Sequence, residues 1–232
     1  MTLVISALAE LKFFYIEFIV ILIVASLLTS FSYRKLIIIV GAAIGFIFGT
    51  AFLVRLYPIF SGVFELEGLI ENATSVGGYT GIGDMNRFTG IPMVNELFFD
   101  NMSERLFGFG LGNCDYADSY AFLTTPFFSK YSGYHYTWLS AVWMYLETGA
   151  IGLIMFMGFF VLVALFALVR MKKQKEYRHV YQITFILSLC CILIAIYNAS
   201  LRTESAFLIY TVLSMAFWKS HKAVNDERIK AD

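Results

Sequence analysis

The stretch AIGLIMFMGFFVLVALFALV, residues 150–169, decides the fold class of this chain because it carries no charged side chain over its whole length. An α-helix needs about 20 apolar residues to cross a hydrocarbon core roughly 30 Å thick. The composition agrees, since 59% of all residues are hydrophobic, 18% are aromatic and only 15% are charged. This apolar content exceeds that of ordinary soluble domains and predicts an integral membrane protein.

Four further apolar runs predict additional helices, so that the expected transmembrane helices are 13–28, 36–54, 150–169, 181–197 and 206–218. The last two are short and are separated only by residues 198–205, where a re-entrant hairpin is an alternative. The sequence therefore predicts an all-α fold, a polytopic membrane helical bundle with about five transmembrane helices. Between the second and third helices it predicts a large extracytoplasmic loop containing interfacial helices.

Basic residues predict the orientation, since Lys and Arg in short loops resist translocation. The loop 170–178 is strongly basic and is expected in the cytoplasm. The chain then divides into two N-terminal transmembrane helices (1–56), an extracytoplasmic loop (57–137), an interfacial helix with three C-terminal transmembrane helices (138–218) and a cytoplasmic tail (219–232). An extracytoplasmic N-terminus without a basic leader has two explanations. Either the first helix is uncleaved, or the chain is the C-terminal part of a larger polytopic protein.

The extracytoplasmic loop contains an apolar pattern and a glycine-rich run. Apolar residues recur at spacings of three and four after Pro92, which predicts an amphipathic helix over 93–105 that lies on lipid or on the bundle: Val94, Leu97, Phe98 and Met102. The run GFGLGN at 108–113 predicts a tight turn. A nucleotide-binding fingerprint would need wider glycine spacing between a strand and a helix, and we disfavour it.

The sequence after the loop is too long for one straight helix. From Trp138 to Val169 such a helix would extend about 48 Å at 1.5 Å per residue, well beyond the hydrocarbon core. We therefore expect an interfacial helix over 137–147, with Trp138, Trp143 and Tyr145 in the aromatic belt of the membrane. Gly149 is the expected hinge into the next transmembrane helix.

Charge and cysteine content exclude several functions. The formal net charge is zero, which gives no electrostatic basis for binding nucleic acid. Cysteine pairs with zinc-binding spacing are absent from the sequence, so we predict neither a metal site nor a cofactor.

At this point the order of features resembles the O-antigen ligase and O-antigen polymerase family of bacterial envelope glycan assembly, over roughly 83–218. The resemblance rests on Arg87 before the predicted amphipathic helix, on LFGFGLG at 106–112, on His135 with Leu139, and on YLETGAIG at 145–152. It implies a multi-pass protein of the bacterial inner membrane with its central loop outside and its C-terminus in the cytoplasm.

The resemblance further implies a metal-independent glycosyltransferase of surface polysaccharide synthesis, which makes lipopolysaccharide or exopolysaccharide. Such an enzyme polymerises or ligates oligosaccharide from a polyprenyl-diphosphate carrier onto an acceptor glycan or glycolipid at the outer face. By this resemblance Arg87 would bind the carrier diphosphate and His135 would be the catalytic base. Arg105 is a candidate for a second diphosphate contact. The family usually has Asn after the histidine, where this chain has Tyr136.

These residue types suit the chemistry. Histidine titrates near neutrality and can take a proton from an attacking hydroxyl, while guanidinium offers a fixed fork of donors to phosphate oxygens. Each residue also has a structural alternative. His135 could be a hydrogen-bonded interfacial residue, Arg87 a loop cation beside Asp84 or lipid headgroups, and Arg105 a cation at a helix C-terminus. Tyr136 and Glu147 are candidates for supporting roles, and Glu147 is also an alternative base or an interfacial residue at a helix end.

Two other functions remain open. A transporter or channel subunit would line a polar path with Glu17, Arg202 and Glu204. A non-catalytic membrane partner, or a fragment of a larger polymerase, is the other alternative, because five helices enclose less of a cleft than a dozen do. In that case a complementing polypeptide would be required.

Overall fold

The computed structural model of this chain describes residues 12–29, 32–56, 83–117, 121–203 and 205–229. All regular elements in these ranges are helices, which confirms the all-α fold class. Two of the described helices are long and apolar enough to cross a membrane, Ser140–Lys173 and Arg178–Tyr197. The chain forms two compact units, Met1–Ala73 and Thr74–Asp232.

In the first unit the described residues form the helices α1 (Lys12–Leu28) and α2 (Tyr33–Leu56), at the positions of the first two apolar runs. An apolar groove of about 490 Å³ runs along them. Large side chains such as Ile38, Phe48 and Phe52 are exposed on α2. A helix that is apolar on all sides belongs either in a protein core or in lipid.

The second unit begins with the central segment, residues 83–138. It contains α3 (Gly90–Leu97), α4 (Met102–Phe107) and α5 (Pro126–Tyr131), with short 3-10 turns at Ala121–Leu123, Ser132–Tyr134 and Tyr136–Trp138. Long helices follow: α6 (Ser140–Lys173), α7 (Arg178–Tyr197) and α8 (Ser205–Ile229). The predicted helices 150–169, 181–197 and 206–218 thus lie within α6, α7 and α8. Much of the predicted tail 219–232 continues α8 as helix.

Among the described residues, two hydrophobic clusters hold the second unit together. One lies where α6, α7 and α8 pack, around Phe160, Cys191 and Leu213. The other lies under the central segment, where Val94, Phe99 and other side chains cover the N-terminal part of α6. The second cluster attaches the central segment to the long helices, and it positions the candidate site described below.

The predicted helix 93–105 is wrong as a single element, because the structure has two helices there. The side chain of Asn101 accepts from the N–H of Glu104 at 2.9 Å, and the Glu104 carboxylate accepts from the N–H of Asp100 at 2.8 Å. This reciprocal cap starts a new helix at Met102. The predicted apolar face is divided as well, since Val94 is buried whereas Leu97 and Met102 are exposed.

The predicted interfacial helix 137–147 begins later than expected. Its first residues form a 3-10 turn, and α6 starts at Ser140. Trp143 and Tyr145, expected in the aromatic belt, are instead buried against the central segment, while Trp138 is half-exposed. The aromatic pattern alone does not distinguish a membrane interface from a protein core.

The predicted hinge at Gly149 is confirmed. Gly149 has φ 63° and ψ −163° within α6, a left-handed conformation that only glycine adopts readily. A Cβ there would lie 2.3 Å from the carbonyl carbon of Leu106, and a Cβ at Gly108 would lie 2.4 Å from that of Glu147. The two glycines therefore let the backbone of the glycine-rich turn 108–113 contact the kink directly.

Gly149→Ala should destabilise the protein by at least about 2 kcal/mol, because it combines backbone strain with a steric clash against Leu106. The matched control is Gly158→Ala in the same helix, where a Cβ meets nothing within 4 Å. The control should be neutral or slightly stabilising. Thermal unfolding of the purified variants measures both effects, and equal melting temperatures would refute the proposed role of the kink.

Candidate functional site

The glycine-rich turn binds the kink of α6 through main-chain hydrogen bonds. The N–H of Phe109 donates to the carbonyl of Leu146 at 3.0 Å, and the N–H of Gly110 donates to that of Glu147 at 2.8 Å. The carbonyls of a helix end that a kink leaves without helical partners are thereby satisfied. The two sequence motifs at 106–112 and 145–152 form one structural element.

Glu147 lies at the centre of this element and is completely buried. Its Oε1 accepts from the N–H groups of Gly112 at 3.1 Å and Cys114 at 3.3 Å. Its Oε2 accepts from Nη2 of Arg202 at 2.6 Å in a buried ion pair. A carboxylate engaged on both oxygens is a structural anchor, which fits a supporting role at the helix end beside the Gly149 kink and does not fit a free base.

Sequence reasoning missed the partner of Glu147. Arg202 lies in the turn between α7 and α8, and its guanidinium lies over the indole ring of Trp143 at 4.0 Å. The same turn is bonded to α6 a second time, because the N–H of Ser140 donates to the carbonyl of Asn198 at 3.0 Å. The one signal in the sequence was an arginine in a short turn between two apolar runs. Glu204, the other charge of that turn, lies outside the described residues.

Tyr136 supports the same element through a hydrogen bond to its backbone. Its side chain is completely buried, and its hydroxyl donates to the carbonyl of Cys114 at 2.8 Å. Burial raises the pKa of Tyr136, so the hydroxyl stays protonated as a donor. Burial, and then the negative charge of Glu147, raise the pKa of the Cys114 thiol to about 12. Both side chains are structural and neutral at physiological pH.

Arg87 and His135 are carried by two segments that are bonded to each other. The N–H of Met85, two residues before Arg87, donates to the carbonyl of Tyr134, one residue before His135, at 2.9 Å. The structure thus joins the short segments that hold the two principal residues predicted from sequence. They are 48 positions apart in the chain.

Arg87 lies against the end of α7. Its guanidinium is 3.6 Å above the centre of the Tyr197 ring, a cation–π geometry. Burial lowers the pKa of Arg87, and Tyr197 opposes this shift. Because arginine starts from so high a pKa, its charge is retained. Tyr197 immediately precedes the turn that holds Arg202, so both arginines lie at the same end of α7.

His135 has an unusual backbone conformation. Its φ of 54° is left-handed, and it is the one residue other than glycine with positive φ in the described ranges. Such conformations are uncommon outside glycine and are found disproportionately at functional sites. The imidazole lies against the ring of Trp138 with 4.0 Å between ring centres. Its Nδ1 is buried and has no hydrogen-bond partner among the described residues.

Three further buried polar atoms have no hydrogen-bond partner in the described part of the chain. They are Oγ of Ser140, Nε1 of Trp143 and Nη1 of Arg202. The indole nitrogen of Trp143 and the guanidinium nitrogen of Arg202 can only donate hydrogen bonds. A group that bound next to them would therefore have to accept hydrogen bonds. The charge of Arg202 is already balanced by Glu147. Electrostatics therefore does not require an anion at this position.

Arg105, the candidate for a second diphosphate contact, is exposed in the last turn of α4. That position fits the alternative interpretation, a cation at a helix C-terminus. Across the described ranges, no three His, Cys, Asp or Glu side chains are arranged to hold a metal ion. The candidate site therefore comprises Arg87 and His135, with the buried Glu147–Arg202 pair as a structural anchor at the same end of α7 as Arg87.

No family model matches this chain, and no characterised protein and no solved structure shows significant similarity to it.

Glu147→Ala should cost about 3–5 kcal/mol, because it leaves the buried charge of Arg202 without its partner. It should also free the backbone at Cys114 and expose a thiol that is otherwise buried and protonated. Maleimide labelling followed by mass spectrometry measures this exposure in protein whose other cysteines, Cys190 and Cys191, are changed to Ala. The control is Glu96→Ala, which removes an exposed carboxylate and should change stability by less than about 0.5 kcal/mol. An unlabelled Cys114 in the Glu147→Ala variant would contradict the anchoring role.

Proposed function

We propose that this chain is a multi-pass membrane protein with about five transmembrane helices. Support comes from the exposed surface of α6, where large apolar side chains would otherwise face water: Ile154, Met155, Leu162, Leu165 and Val169. Beyond the kink, residues 150–173 extend about 36 Å, enough for a hydrocarbon core. This part of α6 ends in the basic residues Arg170, Lys172 and Lys173, which favour a cytoplasmic end.

The topology predicts opposite accessibility for two exposed lysines. Lys130 lies on α5 in the central segment, and Lys172 lies at the far end of α6. In intact cells a membrane-impermeant maleimide should label Lys130→Cys and should label Lys172→Cys only after the membrane is permeabilised. Equal labelling of both variants in intact cells would refute the topology. Unsubstituted protein is the control, since its cysteines are buried.

We further propose that the protein is a glycosyltransferase at the extracytoplasmic face of the bacterial inner membrane. It would polymerise or ligate oligosaccharide from a polyprenyl-diphosphate carrier onto an acceptor sugar. The observation that carries the proposal is the bond between Met85 and Tyr134, which brings the segments of Arg87 and His135 together. The docking of the glycine-rich turn on the kink adds support, because the two motifs of the family resemblance form one element.

In the proposed reaction the acceptor hydroxyl attacks the anomeric carbon of the donor sugar. His135 takes the hydroxyl proton as the new C–O bond forms. The bond from the anomeric carbon to the carrier diphosphate breaks, and the electron pair leaves with the diphosphate. Arg87 stabilises the charge on the departing phosphate oxygens. A single displacement of this kind inverts the anomeric centre.

The contacts of Arg202 weaken the alternative of a transporter, which required Arg202 to line a polar path. Arg202 is paired with the buried Glu147 and stacked on Trp143, so it is not free to line a polar path. Glu17 lies in the first unit and Glu204 outside the described residues. The described contacts therefore favour a fixed site over a path through the helices.

Replacing His135 or Arg87 with Ala should abolish the glycan product while carrier-linked precursor accumulates. The loss should be at least about 100-fold for His135→Ala, since a positioned base contributes that much or more. Arg87→Lys should recover only part of the activity, because lysine keeps the charge but loses the planar fork. The measurement is glycan chain-length profiling in cells that carry each variant as their sole copy at matched membrane abundance.

The matched control is Lys130→Ala, which removes an exposed cation from the same segment and should leave the glycan profile unchanged. If His135→Ala and Arg87→Ala give the same profile as the unsubstituted protein, the transferase proposal is wrong. The chain would then be better described as a non-catalytic partner or as part of a larger polymerase.

A further inference from the structure

The α4 helix and the glycine-rich turn carry exposed apolar side chains close together in sequence. Met102, Phe107 and Leu111 are exposed to 68%, 61% and 76%. A single exposed apolar residue is ordinary, but a local group of large ones marks a contact surface. We call these three residues the apolar rim.

The apolar rim is attached to α6 at a defined position. Phe107 and Leu111 flank the residues whose N–H groups donate to the carbonyls of Leu146 and Glu147. A Cβ at Gly108 would overlap the backbone of Glu147, which shows how closely these two segments approach each other. With about 3.8 Å between consecutive Cα atoms, the Cα atom of Phe107 lies within about 8 Å of the kink.

The surface of α6 next to the kink is also apolar and exposed. Ile151 is 40% exposed, and Ile154 and Met155 are each 70% exposed. At 1.5 Å per residue, Ile154 lies roughly 8 Å along the helix from Gly149. Phe107 and Leu111 therefore lie near the kink, where the segment that would enter the membrane begins.

We propose that the apolar rim inserts into the outer leaflet of the bilayer, at the boundary between headgroups and acyl chains. Apolar side chains at that depth, with polar groups towards water, are typical of interfacial segments. α4 also carries polar side chains, because Asn101 and Glu104 form the cap at its N-terminus. This inference rests on the transmembrane role of α6 in the proposed function, and it does not depend on the transferase activity.

The choice of lipid as the occupant follows from continuity. The exposed residues of α6 just beyond the kink would contact acyl chains. The hydrogen bonds to Leu146 and Glu147 hold the glycine-rich turn just before the kink, next to these residues. The same turn is bonded to Glu147 and, through Glu147, to Arg202. Insertion of the rim would therefore hold the candidate site close to the leaflet surface, where a lipid-linked substrate has its headgroup.

Fluorescence quenching tests the proposal directly. Leu111→Cys carries bimane, and the protein is placed in phosphatidylcholine vesicles brominated either near the headgroup or near the end of the acyl chain. Aqueous iodide is the second quencher. Ile154→Cys is the control for the transmembrane segment and Lys130→Cys is the control for water. Unsubstituted protein gives the background from the buried native cysteines.

Bimane at Leu111 should lose about half of its emission or more with lipid brominated near the headgroup, and little with iodide. Phe107→Cys should behave in the same way. Quenching of Leu111 by iodide, as at Lys130, would overturn the proposal by placing the rim in water. Protection from both quenchers would overturn it by placing the rim against protein. If lipid fails to quench Ile154 as well, the transmembrane role of α6 also fails, whereas quenching of Ile154 alone leaves that role standing.

Discussion

The buried carboxylate of Glu147 is the interaction on which the second unit depends. It accepts from the N–H of Gly112 in the glycine-rich turn, from that of Cys114 just after the turn, and from the guanidinium of Arg202, so three segments distant in sequence meet at one side chain. A buried carboxylate is costly unless it is paired and fully hydrogen-bonded. That requirement makes the arrangement specific, because displacement of any one segment leaves a charge or an N–H group without its partner.

The kink at Gly149 and the anchor at Glu147 act together. The kink lets the turn 108–113 approach the backbone of α6, and the approach brings the N–H groups of Gly112 and Cys114 within reach of the carboxylate. The cluster of Val94, Phe99 and Tyr136 then covers the N-terminal part of α6. As a result, the central segment forms a packed cap on the N-terminal part of α6.

The two residues proposed for catalysis, Arg87 and His135, are held in place by neighbouring aromatic rings. His135 has a left-handed backbone and a ring supported by Trp138, and Arg87 is supported by the ring of Tyr197. Residues whose side chains are held by neighbouring rings lose little further freedom on binding a substrate. The proposed donor, a charged headgroup on a long lipid, would meet such a cap at the membrane surface. One geometry thus accommodates both proposals, a transferase site and an apolar rim beside it.

The sequence by itself determined the helical class, the approximate places of the long helices and the hinge at Gly149, because these follow from apolar run length and from the conformational freedom of glycine. It also drew attention to Arg87 and His135. Tertiary structure decided that Glu147 pairs with Arg202, that Trp143 and Tyr145 are buried, and that two helices, the second capped by Asn101, replace one. The physical reason is that ion pairing and burial depend on which distant segments meet, whereas sequence periodicity reports only local preference.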